Sequence, residues 1–533
     1  VVTFLEFING YYQRICVVIA PDWNTVCILR QIILAELPLK YLKTLKIPMK
    51  SPLKSLFSLV LTSVAMLGLM NARLVAQTTK PELVEYIQAQ KSAYEDIALK
   101  IWGYAEVGFK ETKSSALLQA QLAKEGFKVE AGVAGIPTAF VASFGSGHPI
   151  IGIMGEFDAL PGVAQAAVPE RKPIEGQIAG HACGHHVFGA GSAAAAVAVK
   201  QWMQATKQTG TIRFYGTPAE EGGSGKVYMV RAGLFNDVDA MLHWHAGDKN
   251  AVSLGSTLAN KSGKFRFHGV ASHAAAAPER GRSALDGVES MDYMVNMMRE
   301  HVPDSTRIHY VITKGGEAPN VVPAFAEVFY YARSPSRQIL QDVWSRMEKA
   351  AQGAAMGTGT TVDWEVIGGV YEILPNEPLA RAMHANLVTV GGVTYNDEEK
   401  VFADKLARTL YGKPPAIETA AMVQPLNPDA TGSASSDVGD VSWTVPTTGL
   451  SAATWVPGTP AHSWQAVACG GTSIALKGMV VAAKTIALTA VDLFQKPELV
   501  AQGKAELAKR RGGVEFKYEA LIGDRKPALD YRN

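Results

Sequence analysis

From Ile150 to Gly247, apolar runs of strand length alternate with helical runs, and the strands end in residues able to bind a metal ion or carry a proton. Ile150 to Met154 is nearly all apolar, as expected for a strand buried on both faces. The glycine-bounded turn Gly180-His181-Ala182-Cys183-Gly184-His185-His186 leads into an Ala-rich helix, Gly189 to Gln204. Thr211 to Gly216 then runs into Thr217-Pro218-Ala219-Glu220-Glu221-Gly222-Gly223, Lys226 to Ala232 follows as a helix, and Ala240 to His245 ends in His245-Ala246-Gly247. This order specifies an α/β domain with a largely parallel sheet. Open sheets of that kind build their sites just beyond the strand ends.

Upstream, Pro81 to Trp102 and Glu111 to Gly126 carry apolar residues at helical spacing, and Thr138 to Phe144 reads as a strand. The pattern changes near Ala259. Lys264 to Ala271 (strand), Ala284 to Glu300 (helix), Arg307 to Thr313 and Ala326 to Arg333 (strands), Gln338 to Ala355 (helix) and Thr361 to Ile367 (strand) spell the β-α-β-β-α-β unit of ferredoxin-like domains. The first domain resumes with a helix over Pro378 to Val390. The Gly/Ser/Pro-rich passage Pro425 to Pro446 reads as a surface loop near the site, in which Asp437 and Asp440 order the chain by Asx-type bonds. A strand over Leu450 to Val456, His462, a core helix over Thr472 to Phe494 and a charged, solvated tail from Gln495 complete the chain.

With 533 residues the chain is too long for one simple core. Its first Met is Met49, and the segment from Met49 reads as a secretory signal peptide: basic Lys50 and Lys54, an apolar run from Leu56 to Met70 too short to span a bilayer, and a small residue, Ala76, at the cleavage point. An uncleaved anchor is the rival reading. The expected division is an upstream segment 1–48 that is not part of the native product, a signal peptide 49–76, a first catalytic segment 77–258, an inserted domain 259–370, a second catalytic segment 371–495 and an extension 496–533. Residues 1–76 hold 8 Lys+Arg and 3 Asp+Glu, so the whole-chain balance of 51 against 49 becomes 43 against 46, a net −3. That balance gives no case for nucleic acid as a partner, and no membrane is expected after cleavage of the signal. Of the 4 cysteines, Cys16 and Cys27 lie in the leader; Cys183 and Cys469 are expected as free thiols, because a disulfide would consume the sulfur of the densest ligand cluster.

Cys183, His185, Glu221, His245 and His462 all fall on turns after strands or before helices. A zinc-like ion takes about four such donors, and two ions need a bridging donor, a role open to a thiolate. In the pair Glu220-Glu221 one carboxylate can bind metal while its neighbour handles protons. His181, His186 and His243 are better explained as packing neighbours than as ligands.

Gly155-Glu156-Phe157-Asp158-Ala159-Leu160-Pro161-Gly162, the Cys183/His185 turn, Thr217-Pro218-Ala219-Glu220-Glu221-Gly222 and Trp244-His245 resemble the amidohydrolase branch of the aminoacylase/carboxypeptidase metallopeptidases, which includes the indole-acetyl-amino-acid hydrolases. Val438-Gly439-Asp440-Val441-Ser442-Trp443 and Gly458-Thr459-Pro460-Ala461-His462-Ser463-Trp464-Gln465 extend the resemblance, which covers the chain from about Pro81 onward. It implies a two-metal peptidase-like catalytic domain with an inserted ferredoxin-like α+β lid and dimerisation domain. It further implies two divalent ions, Zn or Mn, held by Cys183 as the bridge, His185, Glu221, His245 and His462, with Glu220 as general base and Asp158 orienting a metal-bound His from behind.

In the inserted domain, Gly269-Val270-Ala271-Ser272-His273-Ala274-Ala275 resembles the family's lid motif, which makes His273 an oxyanion donor reaching the site of a second subunit. Gly316-Glu317-Ala318-Pro319-Asn320-Val321-Val322-Pro323 and Arg333 resemble segments that contact the substrate amide and carboxylate. The sequence departs from many relatives at His186, where they carry Asp. The implied protein is an exported metal-dependent amidohydrolase, dimeric or paired with a related subunit, acting on an N-acyl or N-aroyl amino acid with a free carboxylate such as p-aminobenzoyl-glutamate. A dipeptidase or carboxypeptidase on the same site is the first alternative; a non-catalytic binding relative is disfavoured by Glu220.

Overall fold

The computed structural model describes residues 80–427, 432, 434–513 and 515–532. The expected upstream segment 1–48 and signal peptide 49–76 lie outside the described residues. Residues 80–104 form helix α1, followed by α2 (Thr112–Lys124), β1 (Lys128–Ala131), β2 (Phe140–Ser146) and β3 (Ile150–Gly155). Two short strands, β4 (Leu160–Pro161) and β5 (Ala179–Gly180), pair with each other ahead of α3 (His185–Thr206). Then come β6 (Gly210–Gly216), α4 (Gly225–Arg231), β7 (Ala240–Gly247) and β8 (Ala251–Val252).

The second unit of the chain comprises β9 (Ala259–His268), α5 (Ala284–Met298), β10 (Arg307–Lys314), β11 (Phe325–Ser334), α6 (Arg337–Thr358) and β12 (Thr361–Val370). The chain returns through α7 (Glu377–Val390), α8 (Asp397–Ala407), α9 (Val438–Ser442), β13 (Thr447–Ala453), α10 (Trp464–Gly470), α11 (Ser473–Gln495) and α12 (Pro497–Arg510).

A seven-stranded sheet runs in the order β1-β2-β6-β3-β7-β13-β8. Its four central strands are parallel and the pairings at its edges antiparallel. All six residues of β3 are buried, which explains its unbroken apolar sequence. From β3 the chain moves to β6 on one side and then to β7 on the other, so β3 marks the point where strand order reverses, and open sheets place their sites at the carboxyl end of such a point. Helix α3 is buried almost throughout because its Ala and Gly residues let it lie between the sheet and α11. Helix α11 is long and apolar enough to cross a membrane by composition, but it is buried in this core.

The four-stranded sheet has the order β10-β11-β9-β12, every pairing antiparallel, with α5 and α6 packed on it. This is the ferredoxin-like arrangement. At its junction with the larger sheet, the Arg337 guanidinium lies 3.5 Å from the centre of the Trp443 ring, with Tyr371 and Phe516 around it.

The structure corrects three local expectations. Helix α3 begins at His185, not Gly189: Gly184 caps it in the left-handed region at φ 73°, and a Cβ there would collide with Ala246 of β7. Only glycine serves both requirements. The passage Pro425 to Pro446 contains a helix, α9, with all five residues buried; Asp437 and Asp440 bond to distant elements instead of ordering a surface loop. The described part of the extension 496–533 is packed against the fold along one face instead of standing free as a solvated appendage. Val500, Gly503 and Leu507 of α12 are buried, as are Leu521 and Ile522 beyond it.

Candidate metal centre

Each site residue hangs from a strand end or a helix start. Cys183 and His185 flank Gly184 at the entry to α3, Glu220 and Glu221 follow β6, His245 lies in β7, and His462 precedes α10. The backbone is held away from relaxed geometry here. Ala219, Ser224 and His462 adopt φ 57°, 58° and 59°, a region most non-glycine residues avoid and one that concentrates at functional sites. The His462 N–H donates to Ala182 O at 2.9 Å, which ties the last candidate ligand to the Cys183 turn.

These turns bring together all five candidate ligands. One atom from each of Cys183, His185 and His245 lies within 4.8 Å of the others, and the same is true of Cys183, Glu221 and His462. The two triads share only the Cys183 sulfur. A third group, Glu156, His185 and Glu220, lies alongside. Within the cluster Cys183 Sγ is 3.4 Å from His245 Nε2, and Glu221 Oε1 is 3.2 Å from His462 Nε2. His185 Nε2 and Glu221 Oε1 are buried and make no hydrogen bond of good geometry, their nearest polar contacts being ion-pair contacts to Glu156 and His462. Burial and Glu221 favour the neutral Cys183 thiol, but a sulfur, imidazole nitrogens and carboxylate oxygens converging in this way fit divalent metal ions, whose charge would favour the thiolate.

Behind the triads lies a network of buried charge. Asp158 Oδ1 accepts from His185 Nδ1 at 2.9 Å, and its Oδ2 accepts from the Glu221 backbone N–H, also at 2.9 Å. Glu156 Oε2 is 3.0 Å from His185 Nε2, while its Oε1 is 2.6 Å from Lys226 Nζ. Lys226 Nζ also lies 2.7 Å from Asp437 Oδ1, and the Lys226 N–H donates to Oδ2 of the same carboxylate. Burial opposes charge on His185, but Glu156 and Asp158 hold its pKa well above the usual range. Burial likewise opposes charge on Glu156, and Lys226 and His185 together bring it below the ordinary value. Burial and the neighbouring Glu156, Glu221 and Asp437 push Glu220 well up; an adjacent cation would reverse that.

Sequence reading missed four members of this network: Glu111, Glu156, Lys226 and Asp437. Glu111 is buried, accepts from Ala219 N at 2.8 Å and Thr138 Oγ1 at 2.9 Å, and so shapes the turn carrying Glu220. Glu156 could have been found, because it stands two residues from Asp158 beyond β3, and in extended chain that spacing puts side chains on one face. His181 and His186 donate from Nε2 to the carbonyls of Ile101 and Gly470 and stay in the core.

The lid residues stand apart. No hydrogen bond or ion pair links His273, Asn320 or Arg333 to the five-ligand cluster among the described residues. His273 is exposed, and its Nδ1 accepts from the N–H groups of Ala275 and Ala276 at 3.2 and 3.1 Å. Nε2 therefore carries the proton and is a free donor. Asn320 is exposed, with its carbonyl accepting from Ala274 N at 3.0 Å, and Arg333 donates to Ser435 Oγ at 3.0 Å.

The chain is similar to several known proteins. The family described as Peptidase family M20/M25/M40 matches residues 152–436. The chain is 42% identical over 446 residues to one of the two named subunits of the p-aminobenzoyl-glutamate hydrolase of Escherichia coli (strain K12), covering 79% of this chain and 93% of that protein. It is 30% identical over 378 residues to the Xaa-Arg dipeptidase of Mus musculus, covering 69% and 77%. Among solved structures, the YXEP protein of Bacillus subtilis, described as a dinuclear metal binding peptidase from the M20 family, superposes with TM-score 0.54 at 17% identity, covering 76% of this chain and 99% of that one.

Proposed function

From the premise that the chain belongs to peptidase family M20/M25/M40 and is a metal-dependent amidohydrolase, we propose that it cleaves the amide bond of N-acyl or N-aroyl amino acids carrying a free carboxylate, with p-aminobenzoyl-glutamate as the representative substrate. The observation that carries this reading is the pair of three-atom ligand groups sharing Cys183 beside Glu220. Cys183, His185 and His245 would hold one ion and Cys183, Glu221 and His462 the other. Two divalent ions of zinc or manganese type, when bound, lower the pKa of water and polarise a carbonyl.

The remaining work falls to the chain's own groups. Glu220, ionised beside the cations, takes a proton from the attacking water and returns it to the leaving nitrogen. His273 presents Nε2–H as the donor for the tetrahedral oxyanion, and its exposed place on the lid suits the site of a second subunit. Asn320 would hold the substrate amide and Arg333 its carboxylate. Asp158 keeps His185 oriented from behind. The catalytic segments are taken as 77–258 and 371–495 and the lid as 259–370, in a homodimer or in a pair with a related chain, since the E. coli relative is itself one of two named subunits. The segment from Met49 to Ala76 would direct export.

A dipeptidase acting at the same centre is the second reading, favoured by the likeness to Xaa-Arg dipeptidase. Purified wild type and Glu220→Gln, assayed for metal content and for hydrolysis of p-aminobenzoyl-glutamate and Xaa-Arg dipeptides, test both. The expected result is two ions in each protein, with hydrolysis of p-aminobenzoyl-glutamate by the wild type alone. Preference for the dipeptides would transfer the proposal to the second reading. Wild-type turnover by Glu220→Gln would remove its base. Cell fractionation tests export.

A further inference from the structure

The backbone of Glu221 is gripped at both ends. Its N–H donates to Asp158, and its carbonyl accepts from Tyr531 Oη at 2.9 Å and from Arg532 Nη2 at 2.6 Å. Glu221 has φ −70°, ψ 68° and Gly222 has φ 87°, so the carbonyl turns out of the helical path and faces these two donors. The chain leaves room for them. A Cβ at Gly108 would collide with the Tyr531 hydroxyl, and one at Gly223 would come within 3.2 Å of it. The Tyr531 ring stands edge-on to Phe109 at 5.6 Å.

The stretch leading to these residues is anchored along its length. Tyr518 Oη donates to Asp440 Oδ1 at 2.6 Å, the Tyr371 hydroxyl donates to Glu519 O, and Leu521 and Ile522 are buried. Arg525 donates to the carbonyls of Val366 and Ile367 on β12, and its own carbonyl accepts from Arg231 at 2.8 Å. Residues 515–532 therefore run from the last strand of the lid to the backbone of a candidate ligand.

We propose that Tyr531 and Arg532 are positioning residues for Glu221, and that the strap carrying them must be seated for the ion held by Cys183, Glu221 and His462 to bind at full affinity. This rests on the ligand assignment above. It predicts a site-selective effect: losing the two donors frees the Glu221 peptide and loosens one ion, while the group formed by Cys183, His185 and His245 keeps its own supports. Outer supports of a metal site are worth about 10- to 100-fold in affinity.

The test is a zinc titration against a competing chelator on the full chain, with melting temperature followed in parallel. Wild type should show two binding steps. Tyr531→Phe/Arg532→Met should weaken one step at least about 10-fold and leave the other unchanged, and Tyr531→Phe/Arg532→Lys, which restores one donor, should recover part of the loss. If both steps are unchanged, or both weaken together in proportion to a falling melting temperature, the inference is overturned. Should the double variant not fold, Tyr531→Phe alone, which keeps the ring on Phe109, must show a smaller loss in the same single step, and no selective loss would again overturn it. A wild type that binds fewer than two ions would instead remove the ligand assignment on which the inference stands.

Discussion

Asp158 Oδ1 accepts a hydrogen bond from His185 Nδ1 at 2.9 Å, which turns Nε2 towards Cys183 and His245, with Glu156 Oε2 3.0 Å from it. The same carboxylate holds the Glu221 N–H, so one side chain orients a donor in each triad. Asp158→Asn keeps the shape but removes the charge that fixes the ring. Metal affinity should fall about 10- to 100-fold, read by chelator competition. Unchanged affinity for both ions would show that packing alone orients the ring.

Lys226 sits between Glu156 and Asp437, fully buried with both. Removing only the cation leaves Asp437 without its ion-pair partner and Glu156 with His185 alone, so Lys226→Met should destabilise the fold by about 3–5 kcal/mol. Adding Glu156→Gln and Asp437→Asn should return most of that loss. Denaturant midpoints of the three proteins provide the comparison, and a triple variant no more stable than Lys226→Met would contradict it.

Asp440 supplies a pH dependence away from the ions. Burial pushes its carboxyl up to about 7, above the ordinary unfolded value of about 3.9. The folded chain thus binds this proton more tightly than the unfolded one, and the associated stability, present in acid, is lost as pH rises from about 4 through about 7. Asp440→Asn does not titrate. Its melting temperature should therefore gain on the wild type between pH 5 and pH 8, and a constant difference across that window would count against the assignment.

His273 is exposed, so His273→Ala should leave melting temperature and metal content as they are while kcat drops about 10²- to 10³-fold, as for loss of one oxyanion donor. If the residue serves the neighbouring subunit, mixing inactive Glu220→Gln with His273→Ala under subunit exchange should restore activity, because hybrid dimers contain one intact composite site. Recovery that never exceeds the sum of the two variants would place its action within its own chain.

The strand-end chemistry was legible because local sequence creates it. An apolar run, a turn and a polar cluster can be read in a short window, and four separate windows held the candidates Cys183 and His185, Glu221, His245, and His462. The lid's element order was legible for the same reason, through periodicity and turn residues. What sequence hid depends on long-range pairing. Lys226 and Asp437 are 211 positions apart, and each reads locally as an ordinary polar residue. Helix α9 lies in a Gly/Ser/Pro-rich passage whose composition favours loop; buried contacts overrode that preference. The tail looked solvated because its charges are frequent, yet Arg525 and Arg532 spend theirs on backbone carbonyls.

The two triads have five members rather than six, because Cys183 belongs to both. Under the proposed ligand assignment the two positions therefore share one donor atom. On that assignment, alkylation or oxidation of the sulfur would withdraw a donor from both ions in one event, whereas damage at His185, Glu221, His245 or His462 would remove a donor from only one. An enzyme built this way fails as a unit when its thiol is lost, and its resistance to oxidants is set by how completely bound ions shield a single buried atom.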